Sequence, residues 1–291
     1  MYVPAVEDLT GNRKLPFRLG FGVSAADAIR RDRVKASRAR SMVHLLPVLR
    51  ATSLNDYKEK RIMDNKKLRT ALFLHIVLVV LEMIDTNHAY AKDGLGMLIY
   101  YTEDSNLLCL IVSALFTLVM LPIIFKGQTS GFVSTFLMRN YRKDGEEKVT
   151  IPTLLLVLRY VTSCCLLVTF LVVIFVLGPT DGYREMLLDG THLINHVGAP
   201  LLSLYSFLCL ETEPRQKLPT WAPLCAVATT IAYAIPVLIL NIVKLYVGPY
   251  PFLHVYEQPV YMSVFWILAI LGGNVVIARL VQMVYNRRIR K

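Results

Sequence analysis

Long apolar stretches alternate with short polar connections through residues 70–291, and the apolar positions show no period-2 alternation. The stretches cover 70–91, 105–125, 152–177, 188–210, 222–245 and 262–286. Each is close to the roughly 20 residues that an α-helix needs to cross the bilayer core. Barrel strands are about half as long, and in lipid only helices and closed barrels satisfy their backbone. The pattern therefore predicts an all-α, polytopic membrane protein: a six-transmembrane-helix bundle over 70–291, preceded by a basic arm over 1–69.

The connections carry an orientation signal. Lys92 is the single basic residue of 92–104, Arg184 that of 178–187, and 246–261 has none. The alternate set is richer, with Lys126, Arg139, Arg142, Lys143 and Lys148, then Arg215 and Lys217, then the tail from Arg287 to Lys291. By the positive-inside rule both termini belong in the cytoplasm. The arm agrees, holding 16 Lys/Arg against 7 Asp/Glu. Within it Ser24 can cap a basic amphipathic helix over Ala25–Arg40, suited to anionic phospholipid on the inner leaflet; a tail without fixed structure is the alternative. No signal-peptide core precedes the first span, which is then expected to act as the insertion signal.

Composition changes this picture little. The chain is 55% hydrophobic and 18% charged, against about 25% charged in a typical soluble domain, which disfavours an ordinary cytosolic enzyme. The net charge of +11 comes without finger spacing or a Gly-aromatic pattern, so nucleic acid is not an expected partner. The five cysteines lie in apolar stretches without a CxxC pair, as packing residues do; no metal site, disulfide framework or cofactor is implied.

Polar residues at depth carry the functional information, because each needs a partner, water or a role. They gather in the outer halves of the spans: Glu82 and Asp85; Thr102, Ser105 and Asn106; Thr191, His192, Asn195 and His196; and, before the last span, His254, Glu257 and Gln258. This one-sided distribution predicts a polar cavity open toward the outer leaflet. His192 and His196 share a helix face at i, i+4, and Pro200 removes a backbone bond near His196. Arg159 and Arg279 lie in the inner halves, where a long side chain can snorkel to the headgroups.

Three segments, in order, resemble one family. They are Tyr100-Tyr101-Thr102-Glu103-Asp104-Ser105-Asn106 at the second span, Asn195-His196-Val197-Gly198-Ala199-Pro200 in the fourth, and Tyr250-Pro251-Phe252-Leu253 before the last. The chain over 70–287 is similar to the six-span androgen-inducible membrane hydrolases that cleave fatty acid esters of hydroxy fatty acids, and more so to their bacterial relatives. The resemblance implies a bacterial plasma-membrane lipid-ester hydrolase, with Thr102 as nucleophile and His196 as base. His192, Asn195, Ser105, Asn106 and Glu82 would support the site or line its cavity. A Thr hydroxyl needs an adjacent base, and neutral imidazole supplies one. The residues leave alternatives open. His192 is the better depth match to Thr102, and Thr102 can instead cap its helix. Glu82, Asp85, His192 and His196 can also form the ion relay of a proton-coupled transporter, and a non-catalytic membrane protein is a further possibility.

Overall fold

The computed structural model describes residues 66–126, 151–212 and 216–289. The basic arm, its amphipathic segment and the loop basics Arg139, Arg142, Lys143, Lys148 and Arg215 lie outside the described residues. Those described are all-helical, without strands. In chain order the helices are α1 (66–93), α2 (Tyr101–Lys126), α3 (Thr153–Asp181), α4 (Tyr183–Leu188), α5 (Ile194–Leu210), α6 (Ala222–Ile242) and α7 (Val260–Arg288).

Four of them, α2, α3, α6 and α7, are long and apolar enough to cross a membrane, the make-up of a multi-pass integral membrane protein. Their roles differ. Of the apolar window of α3, 61% is buried, against 17% for α7, so α3 is the central helix. It packs against α2, α5, α6 and α7. Small and hydroxylated residues on α3 (Thr162, Ser163, Cys164 and Cys165) are buried, which lets neighbouring backbones approach, as between helices in lipid. The α7 face bearing Val264, Phe265, Leu268, Val276 and Leu280 is exposed and apolar, as a lipid-facing surface requires. All five cysteines are free thiols.

Helix starts and breaks follow local chemistry. A 3₁₀ turn over Gly94–Ile99 leads through extended Tyr100 into α2, whose first turn holds Glu103 and Asp104 where the helix dipole favours negative charge. The hydrophobic pattern predicts a second span from 105, but the helix begins four residues earlier. Thr102 therefore sits inside the first turn and does not cap it. Proline explains two further irregularities. Pro179 and Pro200 lack an N–H, and each follows a π turn, Val173–Leu177 and Ile194–Gly198. In both, the N–H just before the proline, of Gly178 or Ala199, reaches five residues back, to Val173 O or Ile194 O. Widening one turn accommodates the ring that would otherwise strike the preceding carbonyl.

The end of the bundle where α3 carries Arg159 and Glu211 directly follows α5 departs from expectation. Arg159 does not snorkel. It is fully buried on the central helix. Its Nε and Nη2 donate to the Glu211 carboxylate at 3.0–3.3 Å, and Nη1 donates to Ser203 Oγ at 3.2 Å. His75 Nε2 and Ser206 Oγ also bond Glu211 Oε1, at 3.1 and 2.8 Å, and the His75 ring stacks on Phe116. Tyr285 donates to the Glu211 carbonyl, tying α7 to the same point. Arg279 is exposed.

Candidate functional site

At the other end of the bundle a cavity of about 490 Å³ opens among α1, α2, α4, α5 and the connection before α7. Its walls include Thr102, Glu103, His192, Asn195, His196 and Tyr250. Two left-handed glycines shape its rim. Gly182, at φ +98, turns the chain from α3 into α4, and Gly190, at φ +51, turns it toward α5. At Gly190 a Cβ would also stand 3.0 Å from His88 Nε2, so this turn presses directly on α1.

The short α4 orients both histidines. His192 Nδ1 lies 2.7 Å from the Glu185 carbonyl and His196 Nδ1 2.5 Å from that of Met186. A carbonyl can only accept, so each ring carries its proton on Nδ1 and leaves Nε2 as the acceptor. The rings lie on one side, their centroids 4.9 Å apart. His196 is buried and His192 half-buried. Each imidazole is thus held, by a backbone carbonyl, in the tautomer that a general base requires. Among the described residues no hydrogen bond joins Thr102 to either ring. No three His, Cys, Asp or Glu side chains there are grouped to hold a metal.

Thr102 is half-buried, with Tyr250 beside it. Its backbone N–H donates to the Tyr250 phenol oxygen at 3.3 Å. Burial pushes the Tyr250 hydroxyl up to about 12, so it keeps its proton and stays a donor. Tyr250 belongs to the Tyr-Pro-Phe-Leu segment, which closes as a short 3₁₀ turn over Pro251–Leu253. Asn241 holds this connection in place, accepting from Val255 N–H and donating to Val247 O. Tyr250 was not singled out among the site residues, although its motif was visible.

Thr102 also borders a second, apolar pocket of about 110 Å³. Its far walls are Tyr233, Leu238, Phe252, Trp266, Ile270 and Leu271, from α6, α7 and the connection between them. Thr102 and Tyr250 are therefore shared by the polar cavity and the apolar pocket.

The remaining polar residues divide. Asn195 lines the cavity and donates to Glu103 Oε1 at 3.2 Å. Ser105, Asn106 and Glu82 stand behind the wall, all buried. Ser105 bonds Thr169 on α3, and Asn106 donates to the carbonyls of Thr102 and Asn195, lacing α2 to α5. The polar pattern puts Glu82 on the wall; instead α1 turns its His75, Glu82 and Asp85 face into the bundle, and Glu82 has no exposed surface. His254, Glu257 and Gln258 also depart from the cavity group. His254 bonds Glu257 and Gly248, and Gln258 bonds Phe252, so they brace their own loop. No family model, curated protein or solved structure matches this chain.

Proposed function

We propose that the protein is an integral-membrane lipid-ester hydrolase with Thr102 as nucleophile and His196 as base. The observation that carries this reading is the position of Thr102 on a wall common to a polar, histidine-bearing cavity and an apolar pocket. An ester is itself such a junction, with a polar carbonyl attached to an acyl chain. With the chain among Trp266, Phe252 and Ile270, the carbonyl carbon would face Thr102 Oγ1.

The chemistry follows from the groups present. Thr102 Oγ1 attacks the carbonyl carbon while His196 Nε2 takes its proton. The developing oxyanion would meet the Tyr250 O–H, a donor that burial keeps protonated. Collapse breaks the bond to the alcohol, which leaves with the proton from His196. Water, deprotonated by the same ring, then releases the acid from the acyl-threonine. The resemblance over residues 70–287 supports the same roles.

The finer architecture belongs to this proposal: six spans, counting α1 and α5, with both termini cytoplasmic, in a bacterial plasma membrane. The arm would rest on anionic phospholipid, and the cavity would open outward. Labelling of Arg142→Cys by an impermeant thiol reagent from outside intact cells would contradict that orientation.

Turnover of a fatty-acid ester by the purified protein tests the chemistry. Thr102→Ala and His196→Ala are each expected to abolish it without loss of folded protein, and Thr102→Ser to retain part. His192→Ala is expected to weaken turnover; a loss equal to that of His196→Ala moves the base to His192. An undiminished rate in Thr102→Ala would refute the nucleophile.

A further inference from the structure

Helices α6 and α7 are clasped at one end and loosely packed at the other. Asn274 Nδ2 donates to Thr230 Oγ1 at 2.6 Å, and Gln282 Nε2 to Pro219 O at 2.8 Å. Toward the Thr102 end the packing loosens. On α7 no residue from Val264 to Gly273 is buried, and on α6 none from Ile231 to Pro236. At Gly272 and Gly273 an added Cβ would meet no atom within 4 Å. Pro236 interrupts α6 in the same stretch, where it lacks the N–H that would close a helical turn.

The apolar pocket occupies this gap. Ile235 and Leu238 line it from α6 and Trp266 and Ile270 from α7, with Thr102 on the same wall. Ile235 is also 50% exposed, so the pocket has its mouth on the outer, apolar side of the helix pair. No wall residue is charged. The hydroxyls of Thr169, Thr230 and Tyr233 are already bonded, to Ser105, Asn274 and the Ile99 carbonyl. The pocket therefore suits hydrocarbon. Its volume is about 110 Å³, whereas a cavity of roughly 150 Å³ takes benzene, so a slim chain fits and a ring system does not.

A second groove, of about 430 Å³, lies between α2 and α6 beside Asp104 and Cys165. Thr102 is not on its wall. Tyr101 and Tyr233 border both spaces and stand edge to face, their centroids 5.3 Å apart. Hydrogen bonds from their hydroxyls to Thr230 and the Ile99 carbonyl fix this partition.

We infer that a single acyl chain enters from the bilayer between α6 and α7, through the gap above the Thr230–Asn274 clasp. The α2–α6 groove is not the entrance. The inference rests on the hydrolase reading for its substrate, but entry of the chain needs no turnover.

Photo-crosslinking of the full-length protein in phosphatidylcholine vesicles, with palmitic acid bearing a mid-chain diazirine, tests it. Adducts are expected on Val168 and Leu253, pocket residues that are buried from bulk lipid, and excess palmitate should remove them. Ala234→Trp sets a large ring in the pocket wall. It is expected to lose these adducts while keeping those on exposed Leu268 and Val276. If that variant does not fold, Ile235→Trp at the mouth carries the same expectation. Ala232→Trp, in the α2–α6 groove, should leave the adducts unchanged. Absence of adducts on Val168 and Leu253 in wild type would overturn the inference. So would adducts that survive in the folded pocket variant, or that vanish in Ala232→Trp. Failure of the hydrolase reading looks different: the adducts form as expected, yet the protein turns over no ester.

Discussion

The two ends of the bundle use the same kinds of side chain to opposite effect. At one end Arg159, Glu211, His75, Ser203 and Ser206 are buried and bonded to one another, and Glu211 takes donors from three of them. Only the Nδ1 lone pair of His75 is left over. At the other end two oriented histidines, His192 and His196, line an open cavity, and buried Asn106 and Asn195 tie α2 to α5 behind its wall. A saturated network is complete in itself and ties helices together; imidazoles facing an open cavity keep one nitrogen free for whatever enters it. His75 and His88 on α1 are separated by about 20 Å of helical rise, so the two regions are distinct along the bundle.

The comparison breaks most severely at Arg159. Arg159→Met leaves the Glu211 carboxylate buried without its cation, and a loss of about 3–5 kcal/mol is expected. Denaturant unfolding of the detergent-solubilised protein measures it. Arg159→Met with Glu211→Gln should recover part of that loss, because no lone charge remains. A single variant as stable as wild type would show that the pair does not hold the bundle.

At the cavity end the largest single-group effect outside the nucleophile and base is expected at Tyr250. Tyr250→Phe keeps the ring and removes the O–H beside Thr102. If the phenol meets the oxyanion, kcat should fall by about 10²-fold, with KM little changed. With burial holding the hydroxyl up to about 12, wild-type activity should show no loss from Tyr250 ionisation below pH 10. An unaltered kcat in Tyr250→Phe would remove it from the chemistry.

The smallest effect sharpens the contrast. Ser203→Ala removes one acceptor from Arg159 Nη1 while leaving the Glu211 contacts, and about 1 kcal/mol of stability is expected to go. Ester turnover should be untouched, since Ser203 is far from the cavity wall. Stability loss without activity loss is the signature of a structural network.

These regions were unequally legible in the sequence. Apolar stretches of bilayer length announced the helices, because burial in lipid imposes that length whatever the tertiary packing. Helix starts were harder. The pattern opened the second span at 105, since Glu103 and Asp104 look like loop; their charge in fact suits the first turn, and α2 opens at Tyr101. His192 and His196 could be paired from their spacing, and Pro200 marked the widened turn, because both effects are local. The partner of Arg159 was not legible. Glu211 is 52 residues away and, taken alone, reads as an interfacial carboxylate beside a basic loop. Nor was the full burial of Glu82, which depends on how the α1 face packs into the bundle. Tyr250 lay in a recognisable segment, but its contact with Thr102 spans 148 residues and needed the folded connection.

The central claim is that Thr102 is a nucleophile at the junction of the polar cavity and the apolar pocket. Peptide mass mapping after treatment of the purified protein with an alkyl fluorophosphonate tests it most directly. The account predicts a phosphonate adduct on Thr102, absent from Thr102→Ala and strongly reduced in His196→Ala. An adduct confined to another residue while the protein hydrolyses lipid esters would contradict it.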